Sequence, residues 1–172
     1  FNDVEALGNV FAEHGDTIAA VIVEPVAANM GVVPPEPGFL EGLRQLCTSS
    51  GALLVFDEVI TGFRIAFGGA QSVYAVTPDL TILGKVMGGG FPCAAFGGRR
   101  DVMEELAPVG PVYQAGTLSG NSVAVAAGIA ALDLARELDP YGALAATATT
   151  LAEGLTERFA ARGVPVAVNR ST

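Results

Sequence analysis

Three short runs in this chain are apolar almost from end to end: IAAVIVEP (Ile18 to Pro25), ALLVFDEV (Ala52 to Val59) and DLTILG (Asp79 to Gly84). Each has the length of a strand, and none alternates apolar with polar as a strand with one wet face does. Strands of this kind predict cover on both faces, and hence a mainly parallel sheet whose crossovers carry helices. The intervening segments supply those helices. NDVEALGNVFAEHG sets Val4, Leu7, Val10 and Phe11 at helical spacing behind an Asn2/Asp3 cap, with Gly15 as a stop. Phe39 to Ser50 brings Leu40, Leu43, Leu46 and Cys47 onto one face and ends at Gly51. The stretch between, VAANMGVVPPEPG, is too rich in Pro and Gly to be regular.

Further on, AAFGG near residue 96 predicts a fourth short strand and RRDVMEELA a short helix. SVAVAAGIAALDLARELD predicts a long helix, Tyr141 to Arg162 another, and VPVAV a closing strand. This alternation is that of an α/β domain. The change in character at Asp139-Pro140 divides the chain into a main domain, residues 1–139, and the beginning of a second, residues 140–172.

Composition narrows the function. At 51% hydrophobic and 16% charged, 172 residues build a substantial core, and disorder is not expected. A net charge of −9 without long acidic runs argues against nucleic acid and anionic membrane as partners. The apolar runs break well short of a membrane span, and no export signal opens the chain. Cys47 and Cys93 show no CxxC spacing and read as reduced, mostly buried thiols of a cytoplasmic protein. With one histidine, His14, and no cysteine grouping, no metal site is expected. A start at Phe1 without Met and an end just past VPVAV read as a piece of a larger protein.

Open parallel sheets bind ligands at the carboxyl ends of their strands. There the chain places Glu24 and Asn29 after the first strand, Asp57 and Glu58 at the end of the second, and Lys85 after the third. Lys85 is the only lysine; every other basic side chain except His14 is arginine. It is either a surface lysine or an amine kept for what arginine cannot do, which is to form an imine. Gly88, Gly89 and Gly90 behind it let the backbone turn beside a bulky ligand. A phosphate-binding Walker loop is excluded, since that motif needs its glycines before the lysine. Asp57 is either tied to a loop or a helix cap, or it faces a cation such as a protonated pyridine nitrogen. Val59 shares its face by strand period, as plain core or as a flat apolar support for a ring. Glu58 points the other way and reads as structural. In YQAGTLSGNS, Thr117 and Ser119 either cap the long helix or, with its free N–H groups, receive a phosphate.

Together, EPVAANMG, LLVFDEVITGFR, PDLTILGKVMGGGFP and YQAGTLSGN resemble the class III, fold-type I pyridoxal-phosphate aminotransferases, over most of residues 2–135. The resemblance implies the large domain of that fold, with helices on both faces of a mainly parallel sheet, plus the start of a small C-terminal domain. It implies that Lys85 forms the imine with pyridoxal 5′-phosphate and shuttles protons, that Asp57 pairs with the pyridine nitrogen, and that Val59 packs on the ring. Asn29 matches the asparagine near the ring hydroxyl. Gly116 and Thr117 match the segment that reaches the cofactor phosphate of the neighbouring subunit, which implies a homodimer with shared sites. Within the family the similarity is to members that move an amino group inside one small molecule. The reaction implied converts (S)-4-amino-5-oxopentanoate to 5-aminolevulinate for tetrapyrrole synthesis, with the cofactor passing through its pyridoxamine form. An ordinary class III transamination between two molecules is the alternative, and a non-catalytic α/β binding module is the alternative of another class. Ser122 stands where the family has Pro after SGN, which removes a helix-starting constraint but no chemical group. Family members are longer, with a phosphate loop upstream and a small domain downstream, so these 172 residues alone are expected to be inactive or nearly so.

Overall fold

A computed structural model describes residues 1–171. Helix α1 (Val4–His14) starts where the cap pattern places it: the Asp3 carboxylate accepts a hydrogen bond from the Ala6 amide at 2.8 Å. Gly15 ends α1 without a left-handed turn, at φ −50°, and the chain tightens into a 3₁₀ turn, Gly15–Thr17. Helix α2 (Phe39–Ser50) has the expected bounds, between Gly38 and Gly51 at φ 88° and 76°, where a side chain would be strained. Its buried face is Phe39, Leu40, Leu43 and Cys47.

Strands β1 (Ala20–Val23), β2 (Leu53–Asp57) and β3 (Leu80–Leu83) run parallel in that order, and β4 (Ala95–Gly98) is antiparallel beside β3. The register sets Ile22 opposite Val55, Val55 opposite Leu80, Asp57 opposite Ile82, and Ile82 opposite Phe96. Side chains alternate across a sheet, so Leu54 and Phe56 turn to the other side. Both are fully buried against Leu40, Leu43 and Cys47 of α2, with Leu7 and Phe11 of α1 at the margin. Each such side chain contributes about 1.5–3 kcal/mol of burial free energy.

The opposite face departs from expectation. Ile22 is 66% exposed and Phe96 43%, so β1 is covered on one face only. Both of its faces are apolar, which is what the run of residues records, but among the described residues only α1 and α2 lie over it and they lie on one side. The open face is a groove of about 680 Å³ lined by Ile22, Val55, Leu80, Ile82 and Phe96, with Gln114, Ser119 and Gly120 at its rim.

The closing strand is not formed either. VPVAV runs as irregular chain, because a strand exists only beside another and no described strand pairs with it. It is tethered instead by the Asn169 side-chain amide, which donates to the Gly31 carbonyl at 2.9 Å. The remaining helices are α3 (Gly69–Tyr74), α4 (Arg100–Met103), α5 (Ser122–Leu138) and α6 (Tyr141–Ala160). Asp139, left-handed at φ 40°, ends α5, and the Tyr141 hydroxyl donates to the Phe63 carbonyl at 3.2 Å. No described helix is long and apolar enough to cross a membrane.

Candidate functional site

The site begins where β2 stops. Asp57 lies half-buried on the open face of the sheet, and its Oδ1 accepts the Val59 amide at 3.0 Å. That local bond turns the chain away from the sheet. Oδ2 of Asp57 accepts no hydrogen bond among the described residues.

Glu58, one residue on, points into the protein and is 0% exposed. Its Oε2 accepts the Thr61 hydroxyl at 2.9 Å and the Ala70 amide at 2.5 Å. Its Oε1 accepts the Gln71 amide at 3.3 Å and the Gln71 side chain at 3.1 Å. The carboxylate is therefore held by the first amides of α3, as expected of an anion at a helix start. A Cβ on Gly69 would come within 2.3 Å of Oε2, and Gly69 sits at φ 66°, so only glycine fits there. The structural reading of Glu58 is thus the geometry found.

Lys85 follows β3. Its Cα neighbour Gly84 is buried against Val59, whose methyl carbons lie 3.5 and 3.6 Å from where a Gly84 Cβ would be. Val59 thus backs onto the very peptide that leads into the lysine. Lys85 is exposed, its backbone is left-handed at φ 45°, and it opens a 3₁₀ turn, Lys85–Gly88. Its amine makes no hydrogen bond and no ion pair among the described residues.

The parallel pairing of β1, β2 and β3 puts their carboxyl ends on one edge. Asp57, Val59 and Lys85 are brought together there, at adjacent strand ends. Asn29 is exposed, at the same end, in the loop after β1. That loop is shaped by Glu24, which accepts the Ala28 amide at 3.2 Å, and by paired Ala27–Val33 backbone bonds of 2.9 and 3.0 Å. Gly116 and Thr117 stand in an exposed loop ahead of α5. The capping role weighed for Thr117 and Ser119 belongs to Asn121, whose Oδ1 accepts the Val123 and Ala124 amides at 3.2 and 3.1 Å. Three small polar residues precede that helix, and only backbone geometry selects among them.

Sequence reasoning also missed Asp79, 5% exposed, which accepts the Leu54 amide at 2.7 Å, Arg44 at 2.7 Å and Arg99 at 2.9 Å. Burial alone would raise its pKa, but the Leu54 amide and the two guanidiniums outweigh burial and hold the carboxyl below its ordinary value. It joins α2, β2 and the β4–α4 corner. The signal available was an aspartate opening an apolar strand behind Pro78. Burial, with a smaller push from Asp79, raises the Cys47 thiol against the pull of Arg44, so Cys47 is an inert core thiol.

These residues fit a planar, cationic aromatic aldehyde. A free carboxylate oxygen suits a protonated ring nitrogen, an unpaired primary amine suits a carbonyl carbon, and the apolar Val59 side chain suits a ring face. The class of protein is defined by the family model that matches residues 2–168: the chain belongs to the class-III aminotransferases.

More particular likenesses follow. The chain is 60% identical over 170 residues to a protein of Syntrophobacter fumaroxidans named glutamate-1-semialdehyde 2,1-aminomutase, covering 99% of this chain and 39% of that one. It is 59% identical over 171 residues to the protein of the same name from Pelotomaculum thermopropionicum, again 99% and 39%. The chain therefore spans about two fifths of the length of these relatives. Among solved structures, an omega-transaminase from Sphaerobacter thermophilus superposes with a TM-score of 0.87 at 39% identity, covering 96% of this chain and 38% of that one. A transaminase with PLP bound superposes with a TM-score of 0.73 at 36% identity, over 78% of this chain and 32% of that one.

Proposed function

We propose that the protein built on these residues binds pyridoxal 5′-phosphate and converts (S)-4-amino-5-oxopentanoate to 5-aminolevulinate by moving an amino group within one molecule. The observation that carries the reading is the contrast in identity. Six proteins named as the aminomutase are 57–60% identical over 98–99% of the chain, against 39% for the transaminase structure above.

When bound, the cofactor supplies an electron sink for the charge that develops at the substrate carbon. The chain's own residues do the rest. Oδ2 of Asp57 receives the ring N–H, while the Val59 amide on Oδ1 fixes the carboxylate plane. Val59 would support one face of the ring, and Asn29 would serve the ring hydroxyl. Lys85 would hold the cofactor through its amine and would supply the base that moves a proton at the substrate carbon. Gly116 and Thr117, exposed on their loop, reach the cofactor phosphate in a second subunit of a homodimer. Residues 140–172 begin a separate C-terminal domain, in keeping with α6, which buries none of its side chains. The protein works in the cytoplasm, in porphyrin synthesis.

The test is full-length protein given the semialdehyde alone. The mutase turns over many times with no second amino acceptor; a class III transaminase stops after one half-reaction. The same protein absorbs in the visible with pyridoxal phosphate, and Lys85→Ala abolishes that band. A binding module without this chemistry gives no lysine-dependent band at all.

A further inference from the structure

We infer that Gly128, in the middle of α5 and far along the chain from Lys85, is a positioning residue for Lys85; the inference rests on the reading of Lys85 just given. A Cβ on Gly128 would come within 2.8 Å of the Met87 carbonyl oxygen, closer than real Cβ contacts. The helix backbone therefore lies directly on the turn that begins with Lys85. The same contact is tight from the other side. A Cβ on Gly89 would meet the Ala127 carbonyl oxygen at 3.0 Å and the Ala131 methyl at 3.1 Å, and Gly89 is left-handed at φ 57°. Beneath them, a Cβ on Gly88 would lie 3.2 Å from Cys93 Cβ, and Cys93 Sγ lies 3.7 Å from the Gly128 position. The turn is clamped between α5 and the chain entering β4.

The clamp matters because of what it holds. Lys85 is left-handed at φ 45°, a conformation an L-residue with a Cβ avoids and keeps only where its surroundings over-determine it. The turn carries 3₁₀-type bonds, such as Met87 amide to Gly84 carbonyl at 3.2 Å and Gly89 amide to Val86 carbonyl at 3.1 Å, whose geometry is poorer than an α-helix's. Among the described residues the lysine side chain itself has no partner to steer it. Its direction is set by the backbone, the backbone by the seat on α5, and the seat exists because residue 128 has no side chain. Gly128 touches no substrate; it acts by fixing where the Lys85 amine begins.

The experiment uses the full-length protein loaded with pyridoxal phosphate. Gly128→Ala is expected to keep the lysine-dependent visible band, to shift the pH at which that band changes, and to lower kcat on the order of tenfold with KM little changed, since a misplacement of about 1 Å can cost about a hundredfold. Gly154→Ala on α6, where a Cβ would meet nothing within 4 Å, is the control and leaves all three unchanged. Should Gly128→Ala not fold, Ala131→Gly loosens the same seat by removing a methyl, and a fall in kcat with the band retained supports the inference. Wild-type kcat and wild-type pH dependence of the band in a folded Gly128→Ala, or in Ala131→Gly, overturn it. A band that survives Lys85→Ala instead overturns the assignment of the lysine, so the two failures are distinct.

Discussion

Glu58→Gln is the smallest change that tests how the β2 terminus is built. The substitution keeps shape and volume but replaces one carboxylate oxygen with a donating NH₂. Each oxygen of Glu58 serves two donors, Thr61 and Ala70 on one side and both Gln71 groups on the other. Either orientation of the new amide therefore sets a donor against two donors and loses two hydrogen bonds to a charged acceptor. At about 1.5–3 kcal/mol each, the loss would reach about 3–6 kcal/mol. The half-buried Gln71 amide can turn its oxygen toward the intruder and recover part of this, so the expected cost is about 3 kcal/mol. That is a large fraction of a stability of about 5–15 kcal/mol. Urea unfolding of the full-length apoprotein at neutral pH reads it directly. Gln71→Ala in the same assay should be non-additive with Glu58→Gln by about 0.5 kcal/mol or more, because the two share bonds. A loss below about 1 kcal/mol for Glu58→Gln, or strict additivity, would refute the claim that the charged carboxylate organises this turn.

Asp79 predicts acid sensitivity of known sign. Its folded-state pKa lies below the ordinary aspartate value of 3.8, so the stability it contributes is complete above that value and is lost as pH falls through the lower one. Unfolding midpoints followed from about pH 5 to about pH 2 should show this slope. Asp79→Asn should flatten it at a cost near neutrality of about 2 kcal/mol, the share of half-exposed Arg99 being discounted for solvent screening. Asn121→Ala removes the acceptor for two α5 amides and should cost about 1 kcal/mol, seen as faster hydrogen exchange in the first turn of α5, with Asn121→Asp restoring it.

What was legible in the sequence was what is encoded locally. The Asp3 cap, the bounds of α2 and the three parallel strands are set by residues within a turn or two of themselves. Lys85 stood out because no other lysine competes with it, and the opposite fates of Asp57 and Glu58 follow from strand alternation. What was not legible needs a partner from elsewhere in the chain. VPVAV has strand chemistry but no described neighbour to pair with, and the open face of β1 is apolar without being covered. α3 has only six residues, too few to show a helical period, although it is the element that holds Glu58. Asp79 looked like an ordinary strand opener until α2 and β4 brought their arginines to it. Gly128 reads as a weak point in a helix unless one knows which carbonyl lies against it.

The strand order has a consequence in time. Each strand of this sheet lies beside its neighbour in sequence, β1-β2-β3-β4, so pairing can proceed in the order of synthesis without waiting for distant segments. The seat for the lysine turn comes from α5, which is made only after all four strands. A ribosome releasing this chain therefore lays down the sheet first, with Lys85 at its rim still free to relax into an ordinary backbone conformation. On the reading proposed above, the Lys85 amine takes its direction only when α5 arrives to press on the turn.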